Sequence, residues 1–302
     1  MKICVTGSSG RAGRAVVADL AVYGHEVVGA DLVGPSGDGG PAEFVRADLT
    51  DYGQAAEVLR GVDAVVHLAN IPAPGLRTPA VTFNVNMTMN FNVFHAAAQA
   101  GLRRVVWASS ETTLGLPFST PPRYAPVDED HYPVPTSTYA LSKVASETVA
   151  GHIAQWSGIP FVALRFSNIL GPADYQRFPS YWDDPAERRW NLWGYIDERD
   201  AAQACRLALG ADIGPTATGS AGASASFIIA AADTVMTRPS ADLLRQVFPG
   251  VPLRGEIAGN ATLLSIDLAK RVLGFDPQHT WRDHVELLAQ AAQERVLGFC
   301  RN

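Results

Sequence analysis

Cysteine, long apolar runs and positive charge are all scarce in this chain, and each scarcity removes a class of protein. Only three cysteines occur in 302 residues, Cys4, Cys205 and Cys300. They lie too far apart for metal-ligand spacing, and Cys4 sits inside an apolar run that reads as a strand. The reading is of reduced thiols in a cytoplasmic protein with no metal site. No stretch reaches the roughly 20 apolar residues that a membrane-spanning helix needs. The apolar start, Ile3-Cys4-Val5, is too short for a signal-peptide core, so neither membrane association nor processing is expected. Asp and Glu number 30 against 24 Lys and Arg, a net charge of -6. Such a balance does not suit a surface that must neutralise many phosphates, so nucleic acid is not an expected partner.

What is present is core-forming material, 47% hydrophobic and 18% charged residues, enough for a substantial core without disulfides or metal. Short apolar runs alternate with longer amphipathic ones, the pattern of strand, helix, strand units feeding a parallel sheet. The spacing predicts strands at Lys2–Thr6, Glu26–Asp31, Glu43–Arg46, Ala64–Ala69, Arg104–Ser109 and Phe161–Phe166. Helices are predicted at Arg11–Tyr23, Tyr52–Leu59, Val81–Ala100 and Thr138–Trp156. Gly24, Gly61, Gly101 and Gly158 each follow a helical pattern, where a left-handed C-terminal residue is wanted. The expectation is an α/β fold of Rossmann type, a doubly wound parallel sheet over residues 1–170.

Past Gly171-Pro172 the regularity fails. Residues 171–302 read mainly as a small substrate-binding region with some elements returning to the core. Its predicted elements are a helix at Arg199–Leu209, a strand at Phe227–Ala231, and helices at Ser240–Phe248, Leu263–Leu273 and Trp281–Val296. Gly210–Ser226, built from Gly, Ala, Ser, Thr and Pro, reads as a flexible inserted surface loop.

The first strand runs straight into Thr6-Gly7-Ser8-Ser9-Gly10-Arg11-Ala12-Gly13 and then a helix. Glycines there allow a tight turn and let a pyrophosphate approach the helix N-terminus, where free N–H groups and the dipole favour its charge. About twenty residues on, Asp31 ends the next strand, where a carboxylate bonds the adenosine ribose hydroxyls and repels a 2′-phosphate. The loop, with Gly7, Ser9, Gly10, Arg11, Ala12 and Gly13, is therefore read as an NAD site. Asp48 and Leu49 follow the third strand at the adenine edge, unless Asp48 simply caps the next helix. Leu68 and Ala69 end the fourth strand near the pyrophosphate and nicotinamide ribose, and His67 beside them reads as a packed strand-end residue.

Tyr139 and Lys143 lie four apart, on one face of a predicted helix. A free phenol has a pKa of about 10, and a nearby ammonium together with a positive nicotinamide ring favours phenolate. Lys143 can also hold the nicotinamide ribose.

With Gly7, Gly10 and Gly13, Asp31, Asp48-Leu49, His67-Leu68-Ala69, Asn84-Val85-Asn86, Ser109-Ser110, Tyr139 and Lys143, Arg165 through Pro172, and Gly194-Tyr195-Ile196-Asp197, the chain resembles the extended short-chain dehydrogenase/reductases. These are the NAD-dependent epimerase/dehydratase family. The resemblance implies that Ser110 bonds the reacting oxygen, Tyr139 moves the proton, and Asn168 faces substrate. It also implies a homodimer through the helices carrying Asn84–Ala100 and Tyr139–Gln155.

Within that family the dehydratases carry an acid pair after the Ser or Thr. Here Ser110 is followed by Glu111-Thr112, so a dehydratase is not expected, and Glu111 can equally be a solvated loop charge. The segment Ala173–Trp193 is short for wrapping a nucleotide diphosphate and is similar to that of uronate and other free-sugar dehydrogenases. In those enzymes an arginine of this segment grips the substrate carboxylate; Arg188 is the nearest match here, or else part of a solvated turn. The expected function is hydride transfer between NAD and a hydroxyl of a small carbohydrate-like substrate, a sugar or sugar acid. Two alternatives stay open: an NAD-dependent sugar epimerase, and a non-catalytic dinucleotide-binding redox sensor.

Overall fold

The computed structural model describes residues 1–35, 40–214 and 223–284. Its layering follows from alternation along the strands. In β1 (Lys2–Thr6), Ile3 and Val5 join one buried cluster and Cys4 between them joins another. The same split recurs along β4 (Ala64–His67), β5 (Arg104–Ser110) and β6 (Phe161–Phe166), for example Val162 and Leu164 against Phe161 and Ala163. Strands apolar on both faces need cover on both.

That cover is helical. The helices α1 (Arg11–Val22) and α6 (Glu198–Gly210) close one face; α2 (Tyr52–Val58), α3 (Pro79–Ala100) and α4 (Thr138–Ser157) close the other. Ser137 caps α4 by accepting from the Ala140 amide at 3.1 Å. Gly101 and Gly158 end α3 and α4 in the left-handed conformation that their spacing predicts. Phe94 of α3 lies fully buried, edge-on to Trp107 and Phe161, burial worth roughly 1.5–3 kcal/mol.

Beside these, β2 (Glu26–Asp31) and β3 (Glu43–Arg46) precede the site, and β7 (Ile169–Leu170), α5 (Pro172–Tyr175) and β8 (Ile196–Asp197) follow β6. The strand β9 (Ser224–Ile229) and the helices α7 (Ser240–Val247) and α8 (Asp267–Leu273) come last. The main sheet is parallel throughout, in the order β3-β2-β1-β4-β5-β6-β9; β7 and β8 form a separate two-stranded pair. Strand order reverses between β1 and β4, and in open α/β sheets ligands bind at the carboxyl ends beside such a reversal.

Several boundaries differ from the sequence reading. The fourth strand stops at His67 and the fifth extends to Ser110. Ser224–Ser226 belong to β9, not to a loop, because pairing with Phe161–Ala163 of β6 overrides their weak composition. Residues 215–222 of that loop lie outside the described set. Leu263 and Leu264 are extended rather than helical: Leu264 bridges Val127, whose amide bonds the Leu263 carbonyl at 2.8 Å. Their apolar character serves that contact, and α8 starts only at Asp267. Trp281–His284 form a 3₁₀ turn; the rest of the helix predicted to Val296, and Cys300, lie outside the described residues. Cys4 and Cys205 are buried free thiols. Among the described residues no helix is long and apolar enough to cross a membrane, and no cluster suits a metal ion.

Candidate active site

The glycine loop is as tight as its composition suggests. Gly7 takes φ +68°, and a Cβ there would stand 2.7 Å from the Ala69 amide nitrogen; at Gly13 it would stand 2.0 Å from the Gly7 carbonyl oxygen. The Gly7 amide bonds Ala30 O at 2.8 Å, and the Gly10 amide bonds Gly7 O at 3.1 Å. Gly10 caps α1 with no side chain. The first amides of the helix, those of Arg11, Ala12 and Gly13, thus lack an internal partner where these residues border a cavity of about 1080 Å³. A cradle that excludes even a methyl group and presents bare amides suits a pyrophosphate.

Asp31 borders the same cavity, its Oδ2 accepting from the Ser9 amide at 3.0 Å. Ser9 itself is not part of the wall; its hydroxyl donates to Val33 O at 2.6 Å. Asp48 and Leu49 border it too, as do Leu68 and Ala69. Asp48 does not cap α2: it holds a turn by accepting from Thr50, while Asp51 accepts from the Gln54 amide as the cap. His67 is packed, bonded through Nδ1 to Thr6 Oγ1 at 2.6 Å and through Nε2 to Asn90 Oδ1 at 2.9 Å. Burial, with the Lys143 charge, pushes it down to about 3, so it stays neutral.

Ser110, Tyr139 and Lys143 meet on the cavity wall although β5 and α4 carry them separately. The Lys143 ammonium lies 5.6 Å from the Tyr139 ring centre and donates to Ala108 O at 2.7 Å and Asn70 Oδ1 at 3.0 Å. Asn70 was not anticipated as a site residue. The sequence carries a signal for it, an amide directly after His67-Leu68-Ala69 at a strand's carboxyl end. Ser110 Oγ accepts from Thr112 at its amide and hydroxyl, 3.2 and 3.0 Å.

The electrostatics depart from expectation. Burial pushes Tyr139 up to about 12, with the Glu111 charge adding to it and the Ser110 hydroxyl opposing it. Burial also pushes Lys143 down to about 7, partly offset by Glu147. The helix spacing brings the two groups together, but the loss of solvent governs both acidities.

Glu111, Ser167, Asn168 and Trp190 line the same cavity. Glu111 is 3% exposed, not a solvated loop charge: it folds inward in the 3₁₀ turn Glu111–Leu114. Burial raises its carboxyl to about 7 against the pull of Ser167, Asn191 and Arg188. Arg188 is no solvated turn residue either, but it is absent from the cavity wall. Its guanidinium donates to Gly194 O at 3.0 Å and lies 4.9 Å from the Trp190 ring centre.

With this geometry in view, comparison with known proteins is direct. Residues 3–212 match the model of the NAD dependent epimerase/dehydratase family, and the chain belongs to that family. NAD is the cofactor that membership assigns, and the glycine cradle, bare amides and Asp31 fit it. The UDP-glucose 4-epimerase of Lacticaseibacillus casei is 30% identical over 178 residues, covering 57% of this chain and 52% of that protein. The chain thus spans about half the length of that curated relative. An NAD-dependent glucose-6-phosphate dehydrogenase from Haloferax volcanii is 28% identical over 197 residues, 60% of this chain and 74% of that one. A short-chain dehydrogenase/reductase superfamily structure from Agrobacterium tumefaciens, with bound NAD, superposes with a TM-score of 0.71 at 26% identity, covering 100% of both chains. Relatives thus include both epimerases and dehydrogenases.

Proposed function

We propose that this protein is an NAD-dependent oxidoreductase that moves hydride between NAD and a hydroxyl of a small sugar or sugar acid. The observation that carries this reading is the reach of the cavity. Its wall runs no further along the chain than Trp190, so among the described residues nothing after Trp190 borders it. At about 1080 Å³ it stands just above the roughly 300–1,000 Å³ range common for ligand sites. That is room for a dinucleotide and a small partner, and no described residue after Trp190 is there to grip a second nucleotide.

Gly7, Gly10, Arg11, Ala12 and Gly13 would hold the pyrophosphate, Asp31 the adenosine ribose, Asp48 and Leu49 the adenine side, and Leu68 and Ala69 the nicotinamide side. When bound, NAD supplies the hydride acceptor. Ser110 orients the substrate hydroxyl, Tyr139 takes its proton and returns one in the reverse direction, and Lys143 places its charge beside the phenol. With its phenol pushed up to about 12, Tyr139 is set as a proton donor; taking a proton requires the positive charge of Lys143 and of the oxidised cofactor. Asn168 faces the substrate. The exposed Phe91 of α3 and Leu141 of α4 support a homodimer through those helices.

The test is to supply NAD with a panel of neutral sugars and sugar acids and follow the absorbance of reduced nicotinamide. Tyr139→Phe should slow turnover about 100- to 10,000-fold while leaving NAD affinity unchanged. The second reading, an epimerase, is favoured by the UDP-glucose 4-epimerase relatives. Retained NAD, interconversion of UDP-sugars and no net reduction with any sugar would replace the first reading with it. Tyr139 and Lys143 both in place weigh against a sensor without catalysis.

A further inference from the structure

Around Glu111, polar atoms at and behind the cavity wall lack a hydrogen-bond partner. Glu111 Oε2, Ser167 Oγ, Asn191 Oδ1 and Arg188 Nε are all buried without a hydrogen-bond partner. Glu111 and Ser167 border the cavity; Asn191 stands behind them and donates to Glu111 Oε1 at 3.3 Å. A buried polar atom left bare costs about 1–3 kcal/mol, and the two on residues that border the cavity, Glu111 Oε2 and Ser167 Oγ, mark a place for a polar ligand.

The chemistry of that wall is one-sided. Its unpartnered function is a carboxyl oxygen, which accepts from a hydroxyl and repels another carboxylate. The cations bordering the cavity, Arg11 and Lys143, are both engaged: Arg11 pairs with Asp174, and Lys143 bonds Asn70 and Ala108. The remaining nearby cation, Arg188, is fixed away from the cavity. Its anchor, Gly194 O, also accepts from Asn191 Nδ2 at 2.9 Å, and the intervening Leu192 and Trp193 are fully buried at positive φ. A backbone held in that strained region is over-determined by its packing, so Arg188 does not swing outward cheaply.

Taking the oxidoreductase reading as its basis, we infer that Glu111 is a specificity residue that accepts a hydrogen bond from a second hydroxyl of the substrate, and that the substrate is a neutral polyhydroxy compound, a free aldose or related polyol, rather than a sugar acid. Ser110 and Glu111 are consecutive, so one hydroxyl at Ser110 and Tyr139 places a neighbouring one against Glu111. Ser167 completes the subsite as donor or acceptor. Burial raises the Glu111 carboxyl to about 7, and a second carboxylate alongside would force one of the two to take up a proton.

The experiment compares D-galactose with D-galacturonate, in which a carboxylate replaces the C6 hydroxymethyl group, on the wild type and on Glu111→Gln and Glu111→Ala. Turnover is read as NAD reduction, and sugar binding separately by calorimetry on protein saturated with NADH. The wild type should prefer the neutral sugar at least about 10-fold in kcat/KM. Glu111→Ala should lose about 10- to 100-fold for it, with NAD affinity intact. Glu111→Gln should narrow the gap between the two sugars. A wild type that prefers the uronate, or variants that leave the ratio unchanged, overturns the inference. Absence of NAD reduction with either sugar defeats the oxidoreductase reading alone, because calorimetry still decides the rest: Glu111-dependent binding of the neutral sugar upholds the subsite, and no binding of either sugar refutes it.

Discussion

Gly13→Ala isolates the dinucleotide loop better than any change to a charged group. Gly13 sits in the first turn of α1, where alanine alone would favour the helix by about 0.8–1 kcal/mol. Its added Cβ, however, falls 2.0 Å from Gly7 O, 2.7 Å from Ser8 Cα and 2.8 Å from Gly7 C. All three are backbone atoms, so the loop itself must retreat by roughly 1 Å or more to regain van der Waals separation. Overpacking of this kind costs about 1–3 kcal/mol, so the net loss of stability is only about 0–2 kcal/mol. The cofactor pays more. Amides of Arg11, Ala12 and Gly13 displaced by that distance no longer reach the pyrophosphate together, and each charge-assisted bond is worth about 1.5–3 kcal/mol. Losing two raises the NAD dissociation constant about 100- to 10,000-fold. Calorimetric titration of NAD, paired with a thermal melt, reads both quantities. Gly10→Ala is the graded control, since its Cβ stands 3.3 Å from Gly7 O and needs only a small adjustment. A Gly13→Ala protein that melts normally and binds NAD within about threefold of wild type would refute the assignment of the loop.

Two further outcomes test the scaffold around the site. Glu147 grips Arg165 through both oxygens, at 3.0 and 2.9 Å, and accepts from Ser109 at 2.6 Å, with the ion pair almost fully buried. Glu147→Leu leaves Arg165 an uncompensated buried charge, so chemical denaturation should show a loss of about 3–5 kcal/mol; a loss below about 1 kcal/mol would mean the pair relaxes into water. His67 is held neutral at about 3 against 6.5 unfolded, so the unfolded chain takes up its proton first, and this contribution to stability disappears as pH falls from 6.5 towards 3. The Lys143 charge and the Thr6 and Asn90 side chains face the ring. His67→Gln should flatten the fall in stability across that window in denaturation curves, and an unchanged slope would show that other groups govern it.

The first half of the fold was legible because its signals are local. Alternation, glycine punctuation and the distance from Gly7 to Asp31 act within one or two elements, and the structure places that loop and carboxylate on one cavity. Tyr139 and Lys143 were legible for the same reason, four residues apart on one helix. Their acidities were not: the spacing brought a cation to a phenol, but burial by distant elements raised the phenol and lowered the amine.

What the sequence by itself determined is the parallel α/β scaffold and most of the residues, from Gly7 to Lys143, that line one side of its cavity. What only the tertiary structure decided is the other wall: Glu111 turned inward where a solvated charge was equally admissible, Arg188 locked onto Gly194 instead of reaching for a carboxylate, and Asn70 brought to Lys143 from 73 residues away. Periodicity and turn chemistry are written in neighbouring residues. Whether a charge keeps its water and which partner it finds depend on segments far apart in the chain, and those the fold alone assembles.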